Sequence, residues 1–181
     1  MLRFLFLLVL ALPVFPQDGL PTTVKEIRQL YTDTQQGIAL MSDEEHLRKE
    51  LVTTIQRNMP GTGIRKETVT CYFAEFGDDF DPDYRPYFVT RKYNVAAHRF
   101  YEEFLFDAET GKLLFVFLQG DSYETAGAKD ETRYYFGPQG LLSENIKGER
   151  RETADEAINM ANECYKALKA SLDGFKNLVE Y

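Results

Sequence analysis

The sequence predicts an α+β domain: an antiparallel meander of about five to seven strands with a helix at each end, stacked in two layers. Three observations predict it. Capping boxes open amphipathic segments near both ends, at Thr23 with Glu26 and at Thr153 with Glu156. Between them lie short segments rich in β-branched and aromatic residues. Short polar turns join those segments, which suits hairpins, because a parallel crossover needs about a dozen residues or more.

The first residues, MLRFLFLLVLALPVFP, carry one cation (Arg3) and an apolar run from Phe4 to Leu12 that Pro13 interrupts. That pattern reads as a secretory signal peptide over residues 1–16, cut near 16–18. A spanning helix needs about 20 apolar residues, so no stable membrane span is expected after cleavage. Residues 17–181 then read as a single α+β domain, exported to the periplasm or beyond. Losing Arg3 moves the formal charge from −8 to −9. With no basic run longer than Arg150-Arg151, nucleic acid is a poor partner, because it needs clustered Lys and Arg.

Along the chain, Val24, Ile27, Leu30, Tyr31 and Ile38 recur at helical spacing, so a helix is expected over about 24–40, and Ser42 with Glu45 suggests a further turn through about Lys49. LVTTIQRN (51–58) reads as a strand ended by Pro60-Gly61. TVTCYFAEF (68–76) alternates Val69, Cys71 and Phe73 against Thr68, Thr70 and Tyr72, the period of a half-buried strand. Strands are also expected at 86–95, 99–107, 112–119, 132–136 and 141–146. In VAAHRFYEEFLF the apolar positions fit a helix as well, and aromatic density with the turn after it favours the strand. KLLFVFLQ is apolar on both faces, so it should be covered on both faces; with both helices on one face, something else must cover the other. Ala157, Ala161, Cys164, Leu168, Leu172 and Phe175 form one stripe of a C-terminal helix from about 154.

Each candidate site competes with a plain structural role. Asp79, Asp81 and Asp83 alternate as in a calcium loop, but Tyr84 and Thr90 stand where the EF-hand pattern needs its Gly and its Glu, so a solvated turn is the simpler reading. Cys71 and Cys164 both sit at inward positions and are candidates for a disulfide, which an exported protein can keep. His98 with Glu102 would share a face on a helix, as metal ligands can, but on a strand they stand about 13 Å apart. Glu102 and Glu103 would point to opposite faces and could not cooperate as an acid–base pair. The serines lack nucleophile-elbow surroundings, and Gly61-Thr62-Gly63 lacks the phosphate-loop lysine. No cofactor is implied. Tyr72, Tyr93, Tyr101 and Tyr135 fall in strands and are the candidate partner surface, since Tyr gives large contact area at small rotamer cost.

Two stretches carry a resemblance. RKYNVAAHRFYEEFLFDAETGKLLFVFLQG (91–120) and ETRYYFGPQGLLSENI (131–146) resemble small exported bacterial proteins of uncharacterised function, and FLFDAETGKLL (104–114) is similar to the hairpin of PepSY-like domains, exported modules thought to bind or inhibit partner proteins. The function expected from all this is a non-enzymatic exported module that binds a protein, peptide or envelope component. A small-ligand carrier with an aromatic-lined cavity is the alternative, and a hydrolase with a site assembled from distant residues ranks below it.

Overall fold

A computed structural model describes residues 19–41, 49–78 and 81–176. Helix α1 (Val24–Leu40) comes first, then strands β1 (Glu50–Met59), β2 (Gly63–Asp78), β3 (Asp81–Val95), β4 (His98–Phe106), β5 (Leu113–Asp121), β6 (Lys129–Gly137) and β7 (Gly140–Lys147), and last helix α2 (Ala154–Phe175). Both expected capping boxes form. The Thr23 and Thr153 hydroxyls accept from the amides of Glu26 and Glu156, whose carboxylates accept in return from the cap amides. The proposed signal peptide and the Ser42–Glu45 cap lie outside the described residues.

The seven strands form one antiparallel sheet in chain order. Six steps of about 4.8 Å make it about 29 Å wide. Hairpin geometry explains the turn after β4: Gly111 has φ +70°, its N–H donates to the Asp107 carbonyl at 2.8 Å, and the Asp107 side chain accepts from the Thr110 amide at 2.7 Å. Residues 98–106 are strand, paired on one side with β3 and on the other with β5.

The layering differs from the expected two layers. The helices lie on opposite faces, so the sheet is the middle of three layers. Ala157, Ala161, Leu168 and Leu172 of α2 pack with Cys71, Val89, Phe104, Val116 and Tyr134. Ile27, Val24, Leu30 and Tyr31 of α1 pack instead with Phe88, Leu105, Phe115 and Tyr135. Adjacent residues such as Phe104 and Leu105, or Tyr134 and Tyr135, divide between the two clusters, as pleated strands require. The physical reason is the inner strands: β4, β5 and β6 carry large apolar groups on both faces, and each face needs its own cover. Phe115 and Val116 are 5 % and 0 % exposed. Phe175, expected on the buried stripe of α2, is exposed, because it stands at the last residue of the helix.

Candidate functional site

Cross-strand register sorts the α1 face into rows. The first row is Tyr72, Phe88, Leu105, Phe115, Tyr135 and Ser143, from β2 to β7. It is the apolar floor on which α1 rests. The second row, two residues along each strand, is Thr70, Thr90, Glu103, Phe117, Arg133 and Asn145. α1 reaches it through Tyr31, whose hydroxyl donates to Glu103 at 2.7 Å. Tyr101 donates to the other oxygen of Glu103 at 2.5 Å. That carboxylate is 4 % exposed and is held by phenols rather than by a cation.

The third row is Thr68, Lys92, Tyr101, Gln119, Glu131 and Lys147. Beyond it, Lys66, Asn94, Arg99, Asp121 and Lys129 close the same end of the sheet: the Lys66 amide donates to the Asn94 side chain at 2.9 Å, and the Arg99 amide donates to Asp121 at 2.6 Å. Here the α1 face is open, and a groove of about 670 Å³ runs across β2 to β6. Its charged lining is Lys66, Lys92, Arg99 and Lys129, with no carboxylate among the lining residues. Lys129 is paired with Asp121, while Lys92 lies over the Tyr101 ring, 5.5 Å from its centroid. Lys66, Lys92 and Arg99 are exposed and have no carboxylate partner among the described residues. At the rim, Ala96 turns the β3–β4 hairpin with φ +52°, a conformation that costs a non-glycine residue about 1–2 kcal/mol.

A second groove of about 470 Å³ flanks α1 and is lined by Arg28, Tyr31, Phe117, Arg133 and Tyr135 among others. Arg28 donates to the Tyr135 hydroxyl at 3.2 Å, and the Arg133 guanidinium sits 4.5 Å from the Phe117 ring centroid. Tyr135 is thus buried under α1 rather than presented to solvent.

On the opposite face the corresponding rows are tied together by paired charges, and a groove of about 420 Å³ lined by Glu67, Arg91 and Cys164 among others remains beside α2. Arg91 donates to Glu67 at 2.6 Å and to Glu102 at 3.1 Å, and Tyr93 donates to Glu102 at 2.7 Å. Burial opposes ionisation of Glu67, yet the Arg91 and Arg65 guanidinium groups hold its carboxyl below the usual range. Arg151 lies over the Phe100 ring, and the Arg151 and Glu149 amides donate to Thr132 and Asp130, so the chain after β7 seals this end.

The other candidate residues separate. Tyr93 faces α2, while Tyr72, Tyr101 and Tyr135 face α1, so the four tyrosines do not make one surface; sheet register, which sequence spacing does not give, divides them. Glu102 and Glu103 do point to opposite faces. Asp81 pairs with Lys176 at 3.2 Å, and Asp83 pairs with Arg85 at 2.5 Å and Lys169 at 3.0 Å. Asp79 lies outside the described residues. Among those described, no group of three His, Cys, Asp or Glu side chains is placed to hold a metal. His98 stacks near Tyr123, centroids 4.3 Å apart. Cys71 and Cys164 are both free thiols in the cluster beneath α2. Burial pushes Cys71 up to about 12 and Cys164 up to about 11.

None of the four groove cations stood out in the sequence, because each stands among other charged residues of its own strand, as in Arg65-Lys66-Glu67 and Lys129-Asp130-Glu131. Compared with known proteins, the chain matches no family model, no curated protein and no solved structure.

Proposed function

We propose that this protein is a non-enzymatic exported module that binds a protein, peptide or envelope component on the bare rows of its sheet. One observation carries the reading: the groove beyond α1 is lined by Lys66, Lys92, Arg99 and Lys129, and its rows hold five cations with Lys147 against two carboxylates, Asp121 and Glu131, in a chain with 29 acidic and 21 basic residues. Solvent-facing rows of such a chain should carry more acid than base, so the reversed sign calls for a ligand of complementary charge. The interior supports binding at the surface rather than carriage inside. Tyr134, Phe88, Phe104 and Phe106 are fully buried side chains that fill both faces of the sheet, and the groove itself opens to solvent.

The test uses envelope extract and native mass spectrometry. Mature wild-type protein should retain a species that a Lys66→Glu/Lys92→Glu variant of equal melting temperature does not. Equal retention by both proteins, or a small molecule carried by both, would show that the groove is not the binding surface.

A further inference from the structure

Resting on the reading of the groove as the binding surface, we infer that its ligand is an acidic segment of a partner polypeptide, bound in extended form across the strands. Span and spacing point to such a ligand. Lys66 on β2, Arg99 on β4 and Lys129 on β6 lie on alternate strands. At about 4.8 Å per strand, neighbouring cations are about 10 Å apart and the set spans about 19 Å. Lys129 is held by Asp121 in the free protein, so an acid bound at that end takes the place of Asp121. A single carboxylate, phosphate or sulfate can meet one or two of the three charges and leaves the rest of the span uncovered. An extended polypeptide rises about 3.3 Å per residue, so about six residues cover the span. Its acidic side chains would then recur every two or three positions.

The surface between the cations suits a polypeptide as well. Thr68, Tyr101 and Gln119 present a hydroxyl, a ring and an amide in one row, available to peptide groups and to aliphatic side chains. The Tyr101 ring is fixed by its hydrogen bond to Glu103, and its face lies toward Lys92. A partner segment therefore meets a floor that is already ordered, which lowers the entropy lost on binding. Flexible lysines at both ends allow modest variation in where the acids fall.

The experiment is calorimetric titration of the folded mature protein with three probes. These are an eight-residue capped peptide of alternating Glu and Ala, inorganic polyphosphate, and vesicles containing phosphatidylglycerol. A Gln-for-Glu peptide is the control. The acidic peptide should bind and the Gln peptide should not. Binding should weaken as salt is raised past about 0.1 M, where the screening length falls to about 10 Å. Each cation removed as Lys→Gln or Arg→Gln should weaken it about two- to fivefold, the worth of an exposed ion pair. The four changes together should weaken it at least about sixteenfold with melting temperature unchanged. Binding of polyphosphate or vesicles, lost in the fourfold variant, with no peptide binding would overturn the polypeptide inference and leave the groove as the binding surface. Peptide binding of equal strength to the fourfold variant would overturn both. No binding by any probe, while the envelope species is still retained only by the wild-type groove, would overturn the acidic-segment inference alone.

Discussion

Removing the Tyr31 hydroxyl should loosen α1 from the sheet by an amount that can be worked out. Tyr31 donates to Glu103 at 2.7 Å, and that carboxylate is 4 % exposed with a second phenol, Tyr101, as its other donor. In Tyr31→Phe the ring remains, so its edge contacts with Phe115 and Phe88, centroids 5.1 and 6.1 Å apart, are kept. What is lost is the hydrogen bond to a buried carboxylate, worth about 1.5–3 kcal/mol, and with it the longer, solvent-replaceable one that the hydroxyl accepts from Gln35 at 3.3 Å. Tyr31 is itself half-buried, so water can partly replace its hydroxyl, and the lower end, about 1.5 kcal/mol, is expected. For a domain of this size that is about 3–6 °C in melting temperature. Urea unfolding followed by circular dichroism gives the free energy directly. Repeating the change in a Glu103→Gln background should shrink the loss by about 0.5 kcal/mol or more, because the acceptor is then neutral. A Tyr31→Phe loss below about 0.3 kcal/mol, or an identical loss in both backgrounds, would refute the claim that this carboxylate anchors the helix.

Three further outcomes are expected. Val116→Asp places an unpaired carboxylate at a position 0 % exposed, and its cost should consume most of the roughly 5–15 kcal/mol that holds such a domain together; a soluble protein with normal melting would disprove the buried position of β5. Gly111→Ala should cost about 1–3 kcal/mol, because φ is +70° and the new Cβ would stand 2.7 Å from the Tyr165 hydroxyl; adding Tyr165→Phe should recover part of the loss, and no recovery would assign the whole effect to the backbone. Burial, reinforced by Glu103, raises Tyr31 and Tyr101, and burial with Glu102 raises Tyr93, all above the ordinary value of 10. Above pH 10 the folded chain therefore holds protons that the unfolded chain releases, so stability is intact below that pH and falls as pH rises past it. Absorbance at 295 nm should show these phenols ionising only together with loss of the circular dichroism signal; ionisation of all 11 tyrosines near pH 10 in a folded protein would contradict this.

The sequence spoke most clearly where a local rule acts alone. Both capped helices begin where Thr, with Glu three residues later, places them, and the Asp107–Gly111 turn rests on a glycine able to take positive φ. Strand ends were less legible. β2 begins at Gly63, five residues before the alternation at Thr68 becomes visible, because Gly63, Ile64 and Lys66 are all exposed and no apolar period marks them. The layering was half legible: Leu113 to Leu118, apolar on both sides, demanded two covers, but nothing in either helix says which face it takes. The groove was not legible at all. It is made by register between strands that are distant in sequence, and only register puts Lys66, Lys92, Arg99 and Lys129 at one end of one face.

That same register explains why the bare rows occur on the α1 face and not opposite. Beneath α2, in the row of Glu67, Tyr93, Phe100, Gly120 and Asp130, the end from Phe100 to Asp130 is closed by the segment between β7 and α2, while Glu67 borders a groove of about 420 Å³. The chain turns back over the sheet, sets Arg151 on Phe100, and caps Asp130 and Thr132 with its own amides. Gly120 makes this approach feasible, since a Cβ there would lie 2.7 Å from the Arg151 guanidinium carbon and 2.7 Å from the Phe100 ring. On the α1 face no described segment plays the part of residues 149–153. α1 ends its side-chain reach at Glu103 and Tyr135, one row short of Lys92 and Tyr101. A row left open could have had every charge paired, as in the hairpin of Asp81, Asp83 and Arg85 with Lys169 and Lys176. The open rows instead hold Lys66, Lys92, Arg99, Lys129 and Lys147 against two carboxylates, Asp121 and Glu131, and among the described residues no carboxylate pairs with the side chains of Lys66, Lys92 or Arg99. An excess of one sign on a rigid face destabilises the free protein slightly through mutual repulsion, and an oppositely charged ligand relieves that repulsion when it binds.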